Sequence, residues 1–595
     1  MAAMEVYLRM SLLAELRRRK VFRVAIAYLA GAWLLIQIAE TLLPAYGFGD
    51  GAIRTSVAVL AVGFVPVVML SWMFQLTPNG IVKQSDIDHD DPVTADTARS
   101  DTDVILAVLP FDNLSTDPET QFFSDGVSEE IIQRLSRGAN LKLIGRTSSF
   151  QFRGERKAEA AQALNCSHVL DGSIRRASER VRVNAHLVEA SSGTTLWSDR
   201  YDRGLEDIFA VQDDISESIA GALNHAFSSF SSQVAEPEVY DLYLRASLKS
   251  YAPDELRTNI GLLELATQRE PKFTEAWARL AYLRSWLRFY EPFAQRSASA
   301  EQIQRDAEIA LARDPENVDA LVAQLFVVPP FGQFIDADAA LERIRQAPGI
   351  GDGKKYVGWF MRNFGHVRES LVEDERSYLS DPLDPMCANT VALARMAAGR
   401  IEDAVPVYED LMARIPDMSF PYASLLRAKA LLEDWTGVDK LLELSNERPL
   451  REFEDGLSFI RAKRNPTPDN IGNWWRDLES QVERWGFVDV SRLVYAAHLG
   501  LVEQTYRMAN SVRLGPVGTD DDILGPDGYR TSLLFQVRMP EIRNDPRFLR
   551  LCARLGLVEY WNATGKWPDC VDEVPYDFRA ECEKASDIPK EPFGF

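Results

Sequence analysis

Two long apolar segments, Val21 to Leu43 and Ala52 to Leu76, constrain this chain more than any other feature of its sequence. Each exceeds the roughly 18 apolar residues that suggest a bilayer crossing, and the residues between them are rich in Gly and Pro. They predict a two-helix transmembrane hairpin within residues 21–83, with the lipid bilayer as the partner of residues 21–76. Arg17, Arg18, Arg19 and Lys20 close a basic N-terminus, residues 1–20, which the positive-inside rule places in the cytoplasm. Two crossings return the chain to the side it started from. The expected location is therefore multi-pass in a membrane with a cytoplasmic body, and a body on the opposite side is the alternative. An antiparallel hairpin sets Glu40 and Arg54 at one depth, where charged groups facing lipid are costly, so they are expected to pair, with Gln37 about one turn away. Ala27 and Gly31 form a small-xxx-small contact, either within the hairpin or in a homo-oligomer.

Charge divides the chain. The formal net charge is −22, yet residues 1–83 carry eight Lys/Arg against four Asp/Glu. The acidic remainder disfavours nucleic acid as a partner, because phosphate neutralisation needs a basic surface. Residues 84–103 hold seven Asp and one Arg and read as an acidic linker spanning roughly 25 Å. Five Cys in 595 residues make no disulfide framework; Cys570 and Cys582 are near in sequence and read either as a pair or as two free thiols.

Over residues 104–232 short β-type runs alternate with amphipathic helices, the pattern of an α/β domain. Val104 to Phe111 reads as a buried strand, Val127, Ile131, Ile132 and Leu135 as a helix, Leu141 to Gly145 as a strand, and Ser167 to Arg175 with Val181 to Glu189 as a hairpin. Asp112, Asn113 and Ser115 read chiefly as turn chemistry. Arg146, Thr147 and Ser148, at a strand end, are candidates for an anion or partner contact, with helix capping as the plainer reading. The strings Ala107-Val108-Leu109-Pro110-Phe111-Asp112-Asn113-Leu114-Ser115, Phe123-Ser124-Asp125-Gly126, Arg146-Thr147-Ser148-Ser149-Phe150, Asp171-Gly172-Ser173-Ile174-Arg175-Arg176 and Leu196-Trp197-Ser198-Asp199-Arg200-Tyr201-Asp202 resemble the TolB amino-terminal-like domain. That resemblance implies a protein-contacting α/β domain without an established catalytic set.

From residue 233 to 595 helices with small residues on one face are punctuated by Pro. Ala392, Ala404, Tyr408 and Pro416 occupy the small, small, aromatic and terminal-Pro positions of a 34-residue unit, and Pro382 to Pro416 has that length. These features resemble degenerate tetratricopeptide repeats, an all-α solenoid whose groove implies protein partners. Trp561 and Trp567 are expected to seal the last helix pair.

The expected fold is multi-domain: the hairpin, an α/β TolB-like domain and a tetratricopeptide-like solenoid. No HExxH, phosphate loop, GxGxxG, GxSxG or paired zinc-ligand motif occurs, so neither cofactor nor metal is expected. Proteins resembling this arrangement carry a nucleotide cyclase or a winged-helix module before the membrane segment; only about 20 residues precede it here. The chain is therefore read as a non-enzymatic adaptor or signalling scaffold, multi-pass in a bacterial inner membrane, that binds protein partners through its TolB-like domain and its repeats; a cell-envelope assembly protein with a periplasmic body is an alternative. An anion- or small-molecule-sensing α/β domain coupled to the array is the other.

Overall fold

The computed structural model of the chain describes residues 74–77, 80–83, 104–115, 120–139, 141–177, 180–225, 236–247, 252–291, 295–328, 332–349, 352–415, 419–445, 454–515 and 531–591. These are mostly helical, with a small six-stranded sheet and a separate two-stranded hairpin.

The membrane hairpin is corrected. Phe74–Thr77 (β1), which includes the last residues of the expected second span, is a strand paired antiparallel with Gly80–Lys83 (β2), Phe74 opposite Lys83 and Thr77 opposite Gly80. Pro78 and Asn79, residue types that favour turns, separate the two strands. Residues 21–73, with Gln37, Glu40 and Arg54 among them, lie outside the described residues. Among the described residues no helix is long and apolar enough to cross a membrane. The membrane-hairpin fold class and the multi-pass inner-membrane location are not carried further.

The sheet has the order β5-β3-β6-β7-β8, with β4 (Asp112–Asn113) also pairing β6. Ile105–Val108 (β3) lies parallel to Lys142–Leu143 (β5) and to His168–Ala177 (β6). Covered on both faces, β3 is apolar at every position, as parallel central strands are. Arg180–Glu189 (β7) and Thr195–Gly204 (β8) continue as an antiparallel meander. On β7, alternation buries Val181, Val183, Ala185 and Leu187. Helices Gln121–Gly138 (α1) and Ile208–Ala222 (α4) join the same core through Val127, Ile131 and Leu135, and through Val211, Ile215 and Ile219. A smaller core of Ala107, Leu109, Ile144, Phe152 and Leu164 includes Ala160 from the short helix Ala160–Ala163 (α3).

Helices then follow from Pro237–Ala246 to Val502–Ser511, each packing on at least one of its sequence neighbours. Several of the prolines that punctuate this region stand in the first helical turn: Pro237, Pro253, Pro385 and Pro468. There the missing N–H is no loss. Asn317, Asp384, Thr467 and Asp489 cap helix starts by accepting backbone N–H groups. Ala392, on helix Pro385–Ala397, and Ala404 and Tyr408, on helix Ile401–Arg414, are fully buried, and these two helices pack together. Pro416 lies outside the described residues.

The C-terminal segment covers the last helices of the array, where the Tyr506 hydroxyl donates to Ile542 O and Arg554 donates to Val512 O, and it also returns to the array's middle. The Trp561 indole is fully buried and donates to the Phe364 carbonyl at 3.0 Å. Asp569 N–H donates to Gly365 O at 3.0 Å, and Gly332 N–H to Leu555 O at 2.9 Å. Gly556, with φ +91°, has no room for a side chain because a Cβ would lie 2.7 Å from Gly332 Cα. Thr531–Phe535 also lies on the middle helices: Thr531 Oγ1 donates to Asn363 O at 2.6 Å and Ser532 N–H to Asn363 Oδ1 at 3.1 Å.

Candidate functional site

The strand end singled out by sequence lies on the seam between the α/β domain and the array. β5 stops at Leu143, Ile144 N–H still reaches Leu106 O at 2.9 Å, and Gly145 N–H donates across the seam to Ser380 O at 2.7 Å. A glycine is needed there, since a Cβ on Gly145 would strike the Asp381 carboxyl. The four-residue helix Arg146–Ser149 (α2) starts immediately after, so the amides of its first turn point outward without intrahelical partners.

The anion that those residue types invite comes from the chain itself. Ser148 N–H donates to Asp381 Oδ1 at 2.7 Å, the Ser148 hydroxyl donates to the same oxygen, and Leu383 N–H donates back to Ser148 Oγ at 2.8 Å. Thr147 Oγ1 donates to Asp384 Oδ2 at 3.1 Å, and Lys355 Nζ meets that same oxygen at 3.1 Å. Asp384 meanwhile caps its own helix through Met386 N–H and Cys387 N–H at 2.8 and 3.0 Å. Asp381 ends helix Val367–Ser380 and Asp384 opens the next, so one array turn docks on α2. Arg146 faces inward to Glu129 at 2.9 Å and stacks on Phe150 at 4.8 Å.

Further ion pairs extend the seam. Glu129 lies 3.7 Å from Arg279, which meets Asp319 at 3.2 Å, and Arg137 meets Asp314 at 3.1 Å. Arg176 holds Asp241 at 2.7 and 2.9 Å. Tyr243 donates to Glu130 at 3.1 Å. Burial raises the Glu130 carboxyl to about 7, with Arg134 opposing and Glu275 and Glu129 adding to the rise. Next to these pairs the seam forms a half-open cavity of about 490 Å³, lined by Glu129 and Arg146 from the α/β domain and by Arg345, Lys354, Glu373 and Arg376 from the array.

The structure brings Thr147 and Ser148 together with array carboxylates, pairs Arg146 with Glu129 of its own domain, and places Ala392, Ala404 and Tyr408 in helix packing of the array. Asn113 Oδ1 accepts Ser115 N–H at 2.8 Å, an Asx turn. Cys570 and Cys582 do not pair with each other, and all five cysteines are buried. Sequence reasoning missed Asp381, Asp384 and Lys354. The only local signal for the last was the glycine-rich run Gly349-Ile350-Gly351-Asp352-Gly353 before Lys354 and Lys355.

No family model matches the chain. Over 149 residues the chain is 44% identical to putative adenylate cyclase 3 of Rhizobium meliloti (strain 1021). The match covers 24% of this chain and 25% of that relative, so it spans about a quarter of the relative's length. The expectation of a non-enzymatic chain is corrected by this likeness: the absence of familiar short motifs does not exclude catalysis in a chain similar in part to a protein named as a cyclase.

Proposed function

We propose that the described residues form the partner-recognising regulatory body of a cyclic-nucleotide signalling protein, with the helical array as its protein-binding surface. One observation carries this reading. An aromatic strip crosses successive array elements: Trp286 lies 5.5 Å from Phe289 and 5.6 Å from Phe326, Phe326 lies 6.1 Å from Trp359, and Trp359 lies 5.1 Å from Phe360. Its outer edge is open, with Phe289 37% and Tyr290 49% exposed. Aromatic side chains dominate protein interfaces, where large rigid area is buried at low entropic cost. A stacked helical array presents such a strip on an extended face.

The signalling class is supported by the partial likeness to a putative adenylate cyclase. The resemblance of residues 104–232 to a TolB amino-terminal-like domain, and of the array to tetratricopeptide repeats, supports a protein partner. The test is capture by the full chain carrying a photo-crosslinking residue in place of Tyr290, with the same preparations assayed for conversion of ATP to cyclic AMP. One partner should be captured reproducibly and lost in Phe289→Ala combined with Trp286→Ala. Capture that is indifferent to both substitutions refutes the reading.

A further inference from the structure

The cavity in the seam is lined by residues of both the α/β domain and the array. Its volume of about 490 Å³ lies within the roughly 300–1,000 Å³ of small-molecule sites. In a chain of net charge −22, five Lys/Arg and four Asp/Glu line its wall, a local reversal of sign. Most of those cations have carboxylate partners: Arg146 has Glu129, Lys355 has Asp384, and Arg345 has Glu369 at 2.7 Å and Glu373 at 3.3 Å.

Lys354 differs from them. Among the described residues no carboxylate lies within ion-pair distance of it; its ammonium donates to the Ala347 carbonyl, and burial lowers its pKa. An ammonium has three hydrogens, so two remain for a ligand. Arg376 spends one nitrogen on Glu373 at 2.8 Å and is otherwise largely exposed, which leaves most of its fork free. Ser136 and Ser380 line the same wall, and each donates its hydroxyl hydrogen to a backbone carbonyl, Gln133 O and Ser377 O, at 2.9 and 2.8 Å. With their hydrogens so used, their oxygens remain available as acceptors.

The geometry points to a binding site for a small phosphorylated molecule, its phosphate held by Lys354 and Arg376 and its hydroxyl or amino groups donating to Ser136 and Ser380. A phosphate beside a sugar or base supplies both halves of that pattern, an anion and neutral donors within a few ångströms of it. Because the wall is built from both the α/β domain and the array, the bound molecule ties the two together. This site is independent of the partner-binding reading.

The test is isothermal titration calorimetry on the full chain with pyrophosphate and AMP as probes and adenosine as the uncharged control. Saturable binding of AMP but not adenosine is expected, with Lys354→Gln and Arg376→Gln each weakening it about tenfold, the loss of one charge-assisted hydrogen bond. Arg376 is 70% exposed, so Arg376→Gln keeps the fold and remains informative if Lys354→Gln does not. Absence of heat with either phosphate probe at millimolar concentration overturns the site, as does binding that Arg376→Gln leaves unchanged.

Discussion

Substitution of Trp561 tests the closure of the C-terminal segment on the middle of the array. The side chain is fully buried, its ring lies 5.4 Å from Phe578 and 6.2 Å from Phe535, and its Nε1–H satisfies the Phe364 carbonyl. Trp561→Ala removes a large buried ring and leaves a cavity, a change that costs about 3–5 kcal/mol. The stranded Phe364 carbonyl adds about 1 kcal/mol. Trp561→Phe keeps most of the ring and loses the hydrogen bond, so it should cost about 1 kcal/mol by the same reasoning. Urea unfolding of the full chain, followed by far-ultraviolet circular dichroism, measures both. If Trp561→Ala loses less than about 1 kcal/mol, the indole is not the buried anchor described here.

The other predictions concern the seam and the thiols. Gly145→Ala should destabilise the chain by about 1–3 kcal/mol in the same unfolding assay, because the added Cβ strikes the Asp381 carboxyl in a packed seam. Glu130 titrates at about 7 in the folded chain against 4.5 when unfolded, so its contribution is fully present below pH 4.5 and is lost as pH rises through 7. Stability should therefore fall between pH 5 and 8 by at most about 3 kcal/mol from this group, and Glu130→Gln should flatten that slope. Burial pushes the Cys570 and Cys582 thiols up to about 12 and also holds the Cys552 thiol well above its ordinary value. A thiolate-dependent reagent should leave these three unmodified in the native chain and should titrate five thiols after unfolding.

What sequence made legible was local. Alternation on β7 and the helical spacing of Val127, Ile131 and Leu135 are nearest-neighbour patterns, and their burial follows from them. Likewise Pro385 at a helix start and Asn113 in an Asx turn follow from each residue's own stereochemistry. At the end of the second apolar segment, hydropathy alone did not signal that the residues from Phe74 pair as a strand, Phe74–Thr77 with Gly80–Lys83. The seam was illegible for a different reason. Ser148 and Asp381 are 233 residues apart, and no periodicity signals which carboxylate a strand-end serine will receive. Arg146, Thr147 and Ser148 were recognisable as an anion-receiving set, but an internal carboxylate and an external ligand demand the same residue types. The return of Trp561 to Phe364 was hidden in the same way, since a buried tryptophan fits an end cap as well as it fits a contact 197 residues distant.

The α/β domain and the array are joined where Ser148 receives Asp381, and a double-mutant cycle on that pair tests the joint most directly. Ser148→Ala removes the hydroxyl donor, Asp381→Ala removes the acceptor, and unfolding free energies of the wild type, both single variants and the double variant give the coupling. A hydrogen bond to a buried carboxylate predicts a coupling of about 1.5 kcal/mol, with the double variant less destabilised than the two single losses together. Single losses that add to within about 0.3 kcal/mol contradict the seam.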